Sequence, residues 1–235
     1  MKKRFYRIPL GVTNCYLLRC KEGFLLIDTC YSNTYPGFLK RMKGMNFDVG
    51  EIRYLLLTHH HDDHAGFAAK LAEETGCRII VHEKALQPLK NGRSEETMKP
   101  LNRRVWFAFT LFRLLHRGFG YPPVTMSERD IVITGDNSTI LKELGIDGEI
   151  LETPGHCSDS ISVLLKDGSL FAGDAAMNFL KLCGLKYRPI YSEDPELVFQ
   201  SWNKLKMKGA HKVYPAHGRP FSIDRLQRLR TFKED

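Results

Sequence analysis

The sequence predicts an α+β fold in a single domain over residues 1–235, a mixed sandwich of sheets and helices with a helical insertion at about 88–125. Three observations carry this prediction. Short apolar runs bounded by turn residues recur along both halves of the chain. These strands come grouped with hairpin turns, and helical stretches follow them. At 235 residues, with 43% hydrophobic and 26% charged positions, the chain is long and apolar enough for a well-buried core.

The elements follow in order. Asn14 to Cys20 and Phe24 to Asp28 read as paired strands across the turn Lys21-Glu22-Gly23. Tyr35 to Lys43 reads as a helix ended near Gly44. Ile52 to Leu57 has the look of a buried strand. Asp63 to Thr75, rich in alanine and stopped by Gly76, reads as a helix, and Arg78 to His82 as another strand. The insertion comes next. Gln87 to Pro100 is polar without a clear period, and Val105 to Leu115 is aromatic and aliphatic. Arg103, Arg104, Arg113 and Arg117 surround that apolar stretch, and Pro122-Pro123 closes it. Ile131 to Thr134, Glu149 to Thr153, Ser160 to Leu165 and Ser169 to Ala172 resume the strand pattern, with Lys166-Asp167-Gly168 as a hairpin turn. Asp194-Pro195 marks the N-cap and first residue of a helix that runs to about Lys208 and stops at Gly209. His211 to Tyr214 is a last strand, and a final helix starts at about Ser222.

The bulk numbers exclude several classes. A net charge of +8 could attract nucleic acid, an anionic membrane surface or anionic small substrates, but no run of five basic residues occurs. A solvated basic surface is the simpler reading, and both nucleic acid and membrane contact rank below it. None of Cys15, Cys20, Cys30, Cys77, Cys157 and Cys183 forms a C-x-x-C pair, so free thiols in a reducing compartment are expected. Met1-Lys2-Lys3-Arg4 is followed by Phe5-Tyr6-Arg7-Ile8-Pro9, where charge and proline interrupt any signal-peptide core. No segment reaches the roughly 18 apolar residues that span a bilayer. A soluble cytoplasmic protein is the expectation.

The chemistry concentrates in Thr58-His59-His60-His61-Asp62-Asp63-His64-Ala65-Gly66. Four histidines and two aspartates in six positions are costly to bury without a cation. Imidazole and carboxylate suit zinc, iron and manganese, and zinc is the leading expectation. His59 and His61 are two apart, so an extended loop points both at one ion. Asp63 and His64 open a helix and face a second ion. His156 in Thr153-Pro154-Gly155-His156, Asp174 in Ala172-Gly173-Asp174 and His217 in Pro215-Ala216-His217-Gly218 each follow a β-run, where a side chain projects from a sheet edge.

This ordered set of motifs, H-x-H-x-D-H, G-H, G-D and a final His, resembles that of the metallo-β-lactamase superfamily, closest in ligand pattern to its glyoxalase II-like hydrolases. The resemblance runs from Asn14-Cys15-Tyr16-Leu17 to His217. It implies a four-layer αββα sandwich with two divalent metal ions in a cleft at one edge. By the same resemblance His59, His61 and His156 hold the first ion, Asp63, His64 and His217 the second, and Asp174 bridges them. Asp28 supports the histidine loop from behind. His60, Asp62, His82, His116 and His211 fall outside the scheme and are given surface or supporting roles. Cys157 is given a packing role.

Two such cations would lower the pKa of a shared water toward about 7, and the resulting hydroxide would be the nucleophile for an ester-like bond. Asp63 both ligates the second ion and accepts a hydrogen bond from the nucleophile. The expected substrate is a small molecule, a thioester or other acyl compound, with a lactone or phosphodiester as alternatives. Iron-dependent redox chemistry on the same fold is the alternative of another class. Only eighteen residues follow His217, too few for the C-terminal domain of glyoxalase II, which weighs against glutathione thioesters. Asp174 weighs against β-lactam hydrolysis, and Met177, standing where acyl-homoserine lactonases carry tyrosine, weighs against a lactonase. The helix around Trp106, Phe109 and Phe112 is apolar nearly all round, so it is expected to pack in the core, lid the metal cleft over an apolar acyl portion, or meet a second copy in a homodimer, with membrane-surface contact helped by the arginines as a minor option.

Overall fold

The computed structural model describes residues 4–94, 98–115 and 120–227; for Phe109, Phe112 to Leu115 and Lys181 it describes the backbone alone. The strands are β1 (Phe5–Leu10), β2 (Thr13–Arg19), β3 (Phe24–Ile27), β4 (Ile52–Leu56), β5 (Arg78–His82), β6 (Lys99–Pro100), β7 (Ile131–Ile133), β8 (Gly148–Glu152), β9 (Ile161–Leu165), β10 (Ser169–Phe171), β11 (Tyr191–Ser192), β12 (Lys212–Tyr214) and β13 (Phe221–Ser222). The helices are α1 (Tyr35–Gly44), α2 (Asp62–Ala65), α3 (Ala68–Thr75), α4 (Leu86–Asn91), α5 (Arg103–Leu115), α6 (Ile140–Glu143) and α7 (Pro195–Met207).

Six strands form one sheet in the order β1-β2-β3-β4-β5-β7, and five form a second in the order β13-β12-β10-β9-β8. Residue alternation along the strands builds the layers. Tyr16, Leu18, Leu25, Ile27, Leu56 and Ile80 of the first sheet meet Ile150, Ile161, Val163, Leu165 and Phe171 of the second. The opposite face of the first sheet, with Leu17, Phe24, Leu26 and Leu55, packs on Phe38 and Met42 of α1 and Leu71 of α3. The opposite face of the second sheet, with Leu151, Leu164, Leu170 and Val213, packs on Val198, Trp202 and Leu205 of α7. The result is helix, sheet, sheet, helix, the αββα sandwich expected from the sequence.

Local chemistry explains where boundaries moved. The segment with charge and proline at residues 5–9 is nonetheless a strand, β1, paired only with β2 at the sheet edge. Proline is tolerated there because an edge strand leaves half its N–H groups without a ladder partner. The helix expected over 63–75 is two helices, broken at Gly66-Phe67. A Cβ on Gly66 would stand 2.3 Å from the Cys30 carbonyl oxygen and 2.6 Å from the Ser32 nitrogen, so the break lets the loop after β3 lie directly on the ligand loop. Where a helix was expected from Ser222, the described chain is β13 and a single 3-10 turn, Ile223–Arg225, and the rest lies outside the described residues. The α7 N-terminus is as read: the Asp194 carboxylate accepts hydrogen bonds from Glu196 N and Leu197 N, with Pro195 first in the helix. Among the described residues no helix is long and apolar enough to cross a membrane.

Candidate metal centre

Four loops leave the C-terminal ends of β4, β8, β10 and β12 and bring together all seven residues singled out as metal ligands. His59, His64, His156, Asp174 and His217 are buried, and His61 and Asp63 are partly so. His59 Nε2 lies 3.1 Å from His61 Nδ1, and His156 Nε2 lies 3.2 Å from each of them. Three nitrogens on a shared tetrahedral zinc, each at about 2.0–2.1 Å, stand about 3.3 Å apart, so this triangle already has the spacing of one ion's ligands. A second cluster gathers Asp63, His64 and His217. His217 Nε2 is 3.0 Å from Asp63 Oδ2, and His64 Nε2 is 3.7 Å from Asp63 Oδ1.

Asp174 stands between the clusters. Its Oδ2 is 3.6 Å from His156 Nε2, while its Oδ1 is 3.4 Å from both His64 Nε2 and His217 Nε2. Asp174 Oδ1 and His64 Nε2 are fully buried and have no hydrogen-bond partner. Orphaned buried polar atoms are rare because each costs its desolvation. Two of them converging between carboxylates and imidazoles fit a cation that would satisfy both.

The backs of the ligands are tied down. Asp28, at φ 58°, accepts from Thr58 N (2.7 Å) and Thr58 Oγ1 (2.8 Å), and His64 Nδ1 donates to its Oδ2 at 2.9 Å. His156 Nδ1 donates to the Tyr191 carbonyl at 2.8 Å, and His217 Nδ1 to the Val12 carbonyl at 3.0 Å. Both bonds fix Nδ1 as a donor and turn Nε2 inward. Cys157 Sγ lies 3.4 Å from His61 Nε2 and groups with His59, His61 and His156 as a further potential donor, so it stands against the cluster and does not face away from it as the sequence suggested. Asn14 donates through Nδ2 to the carbonyls of Pro215, Ala216 and Gly218, stapling the His217 loop to β2.

Sequence reasoning missed one pair. Buried Asp159 accepts at Oδ2 from both His60 N and His60 Nδ1, each at 3.0 Å. The Tyr121 hydroxyl donates to the His60 carbonyl. A buried histidine between two ligand histidines needs a partner, but nothing in the spacing around Cys157-Ser158-Asp159 says which carboxylate supplies it. His60 therefore supports the loop from inside. His82 is also buried, its Nδ1 accepting from Lys84 N, and His211 is exposed. His116 lies outside the described residues.

The charges divide the site in two. Burial, then neighbouring histidine charge, holds His59 and His61 well below the usual histidine range, and burial lowers His156. These three are neutral, lone-pair-bearing ligands. Burial also acts to lower His64 and His217, but carboxylates outweigh it, Asp63 and Asp28 foremost at His64 and Asp174 foremost at His217, and both are raised well above the usual range. Against burial, which raises it, His64 and His217 bring Asp63 down to about 2. Tyr31, in the loop after β3, is pushed up by burial and then by Asp63, Asp62 and Asp174, so its phenol keeps its proton beside these carboxylates.

The insertion is rooted on this centre. Asp62 N donates to Ser94 Oγ (3.1 Å), Tyr121 holds His60, and β6 pairs with β11, whose Tyr191 carbonyl receives His156. Of the three residues named for a lid, Trp106 is exposed on α5, and the side chains of Phe109 and Phe112 lie outside the described residues.

Comparison with known proteins agrees with this geometry. The family model of the metallo-beta-lactamase superfamily matches residues 8–217. A probable metallo-hydrolase of Methanocaldococcus jannaschii is 27% identical over 210 residues, covering 88% of this chain and 87% of that protein. A hydroxyacylglutathione hydrolase of Idiomarina loihiensis is 30% identical over 167 residues, covering 71% of this chain but only 47% of that enzyme. This chain thus spans about half the length of that relative. Among solved structures, a metallo-beta-lactamase family protein from Thermus thermophilus superposes with a TM-score of 0.67 at 22% identity, covering 94% of this chain and 76% of that one.

Proposed function

We propose that this chain, which belongs to the metallo-beta-lactamase superfamily, is a dinuclear metal-dependent hydrolase that cleaves a thioester or another ester-like acyl bond. The observation that carries the reading is Asp174. One of its oxygens faces the His59, His61 and His156 triangle while the other faces His64 and His217, the placement of a bridge between two ions. His59, His61 and His156 would hold the first ion, and Asp63, His64 and His217 the second, with zinc the best match to a nitrogen-rich donor set of this spacing. When bound, the two ions supply a nucleophilic water near neutral pH and polarise the substrate's acyl oxygen.

The chain's own residues do the rest. Asp63, ionised at neutral pH, accepts a hydrogen bond from the attacking water, and Thr13 Oγ1 orients it by donating to its Oδ2 at 3.3 Å. Tyr31 keeps its proton beside Asp63, Asp62 and Asp174, so its hydroxyl remains able to donate a hydrogen bond. The Phe179 ring, 5.8 Å from the His217 ring, gives an apolar portion of the substrate a surface beside the second cluster. The hydroxyacylglutathione hydrolase relative favours a thioester among ester-like bonds.

The test is metal analysis of the purified chain together with a panel of thioester, lactone, phosphodiester and β-lactam substrates. Two divalent ions per chain and preferential thioester turnover are expected. One iron per chain with oxygen-dependent chemistry overturns the reading.

A further inference from the structure

The apolar helix of the insertion does not bury its aromatic face. On α5 only Val105 is fully buried among the described side chains, whereas Trp106 is 56% exposed, Phe107 68% and Leu111 55%. Leu182, 94% exposed, belongs to the segment beside it: Asn102 caps α5 by accepting from Arg104 N and Val105 N, and its Nδ2 donates to the Cys183 carbonyl at 3.0 Å. Leu101 N donates to the Ile190 carbonyl, and β6 pairs with β11, so the two segments run together. A cluster of large apolar side chains turned to solvent marks a contact surface.

The excess charge of the chain falls in the same two stretches of sequence. Residues 98–127 contain five lysines and arginines, residues 175–192 contain three, and neither segment contains an aspartate or glutamate. Those eight cations equal the whole net charge of +8, so the remainder of the chain is balanced. Lys99, Arg103, Arg104 and Lys186 are exposed, and none has an ion-pair partner among the described residues. A second copy docking through this surface would bring two such cationic faces together, which like-charge repulsion disfavours. An anionic lipid surface matches both properties. Its headgroups meet the cations, and its acyl boundary takes a tryptophan, a phenylalanine and two leucines.

We propose that the outer face of α5, with Trp106, Phe107 and Leu111 flanked by Arg103, Arg104 and Leu182, docks the protein on an anionic phospholipid bilayer. The sequence reading preferred a solvated basic surface and kept membrane-surface contact through this helix as a minor alternative, which the exposed aromatic face now favours. Docking would place the metal cleft, to which the insertion is rooted, beside lipid-borne acyl compounds. Binding to vesicles needs no turnover, so it stands or falls independently of the hydrolase reading.

The test is co-sedimentation of the metal-loaded full chain with phosphatidylcholine vesicles, with and without phosphatidylglycerol, at low and high salt. The chain has two tryptophans, and Trp202 is fully buried, so a blue shift of emission on binding reports Trp106. Binding that requires phosphatidylglycerol, weakens with salt and shifts Trp106 emission is expected. Arg103→Gln with Arg104→Gln should weaken it on the order of 30-fold, taking about 1 kcal/mol per cation at the surface. Phe107→Ser with Leu111→Ser should abolish the blue shift. Trp106→Ser should abolish binding while the buried emission of Trp202 shows the fold intact. Failure of the folded protein to bind phosphatidylglycerol vesicles overturns the proposal. So does binding indifferent to these substitutions, or a self-association or oligonucleotide binding that the same substitutions abolish in the absence of vesicle binding.

Discussion

The ligand loops and the insertion share a border but follow opposite physical rules. In the ligand loops nearly every polar atom has a partner. Asp28 is saturated by Thr58 and His64, Asp159 Oδ2 takes both the backbone N and the ring of His60, and Asn14 holds three carbonyls of the His217 loop. Of the buried atoms left without a hydrogen bond, Asp174 Oδ1 and His64 Nε2 converge between the two histidine clusters, while His60 Nε2 and Asp159 Oδ1 belong to the supporting pair beside them. In the insertion the roots are tied to the metal centre, but α5 turns apolar side chains and unpaired cations outward. One region is therefore organised to hold something inside and the other to meet something outside. The difference teaches that rigidity and specificity are local properties here: the same chain is closely determined within one network of hydrogen bonds and open a few residues away.

The largest effect should come from breaking the inner network at Asp63. Asp63→Ala is expected to lower turnover on the order of 10³-fold or more, since it removes a ligand and the acceptor for the attacking water together. The second ion should weaken while the first is retained. Steady-state kinetics with metal counted per chain measures both, and full activity with two ions bound would remove Asp63 from the mechanism.

Smaller effects should separate the two supports behind the ligands. Asp28 orients His64, whereas Asp159 holds the backbone and ring of His60, between His59 and His61. Asp28→Ala is thus expected to weaken the second ion about 10–100-fold, and Asp159→Ala to weaken the first by a comparable or smaller factor. Competition with chelators reads the two affinities. Equal losses at both ions in both variants would mean that the loops move as one body.

These residues also show what the sequence could reveal. The ligand string is legible because its chemistry is dense and local: six consecutive ionisable side chains after an apolar strand have few purposes other than a metal. Short apolar strands grouped with hairpins were legible, but their four layers came from the resemblance, because strands such as Thr13–Arg19 and Ile161–Leu165 are buried on both faces and carry no alternation to assign one. Asp159 was not legible, because its partner lies 99 positions earlier in the chain and no local pattern encodes that distance. The direction of Trp106 was hidden for a related reason. A helix apolar on every face carries no moment to say which side is inward, and the answer depends on what the rest of the chain covers. Strand β1 was obscured by Pro9, whose cost depends on whether the strand lies at a sheet edge.

A further contrast lies in pH. His59, His61 and His156 are held neutral, so the first ion displaces no proton from them near neutrality. His64 and His217 are raised well above the usual range, so without metal they carry protons that the second ion must displace. Affinity for the second ion should therefore fall as pH falls, by up to about tenfold per pH unit for each proton released, while affinity for the first changes little. Calorimetric titration in buffers of different ionisation enthalpy counts these protons. Identical pH slopes for the two ions would erase the division between the clusters.

The smallest effect on stability should come from the outer face of the insertion. Trp106→Ser and Phe107→Ser replace the largest exposed side chains of α5, and Val105, which is buried, remains to seat the helix. Serine differs little from tryptophan or phenylalanine in helix propensity, and surface substitutions away from packing change unfolding free energy by no more than about 0.5 kcal/mol. A buried tryptophan behaves otherwise: Trp202, whose Nε1 donates to the Ala175 carbonyl at 2.7 Å within the α7 layer, should lose about 3–5 kcal/mol on replacement by alanine. Denaturant titration of the variants side by side sets the two numbers against each other. If Trp106→Ser approaches the cost of Trp202→Ala, the outer face of α5 is packed on part of the chain, and the insertion belongs with the closed region and not opposite it.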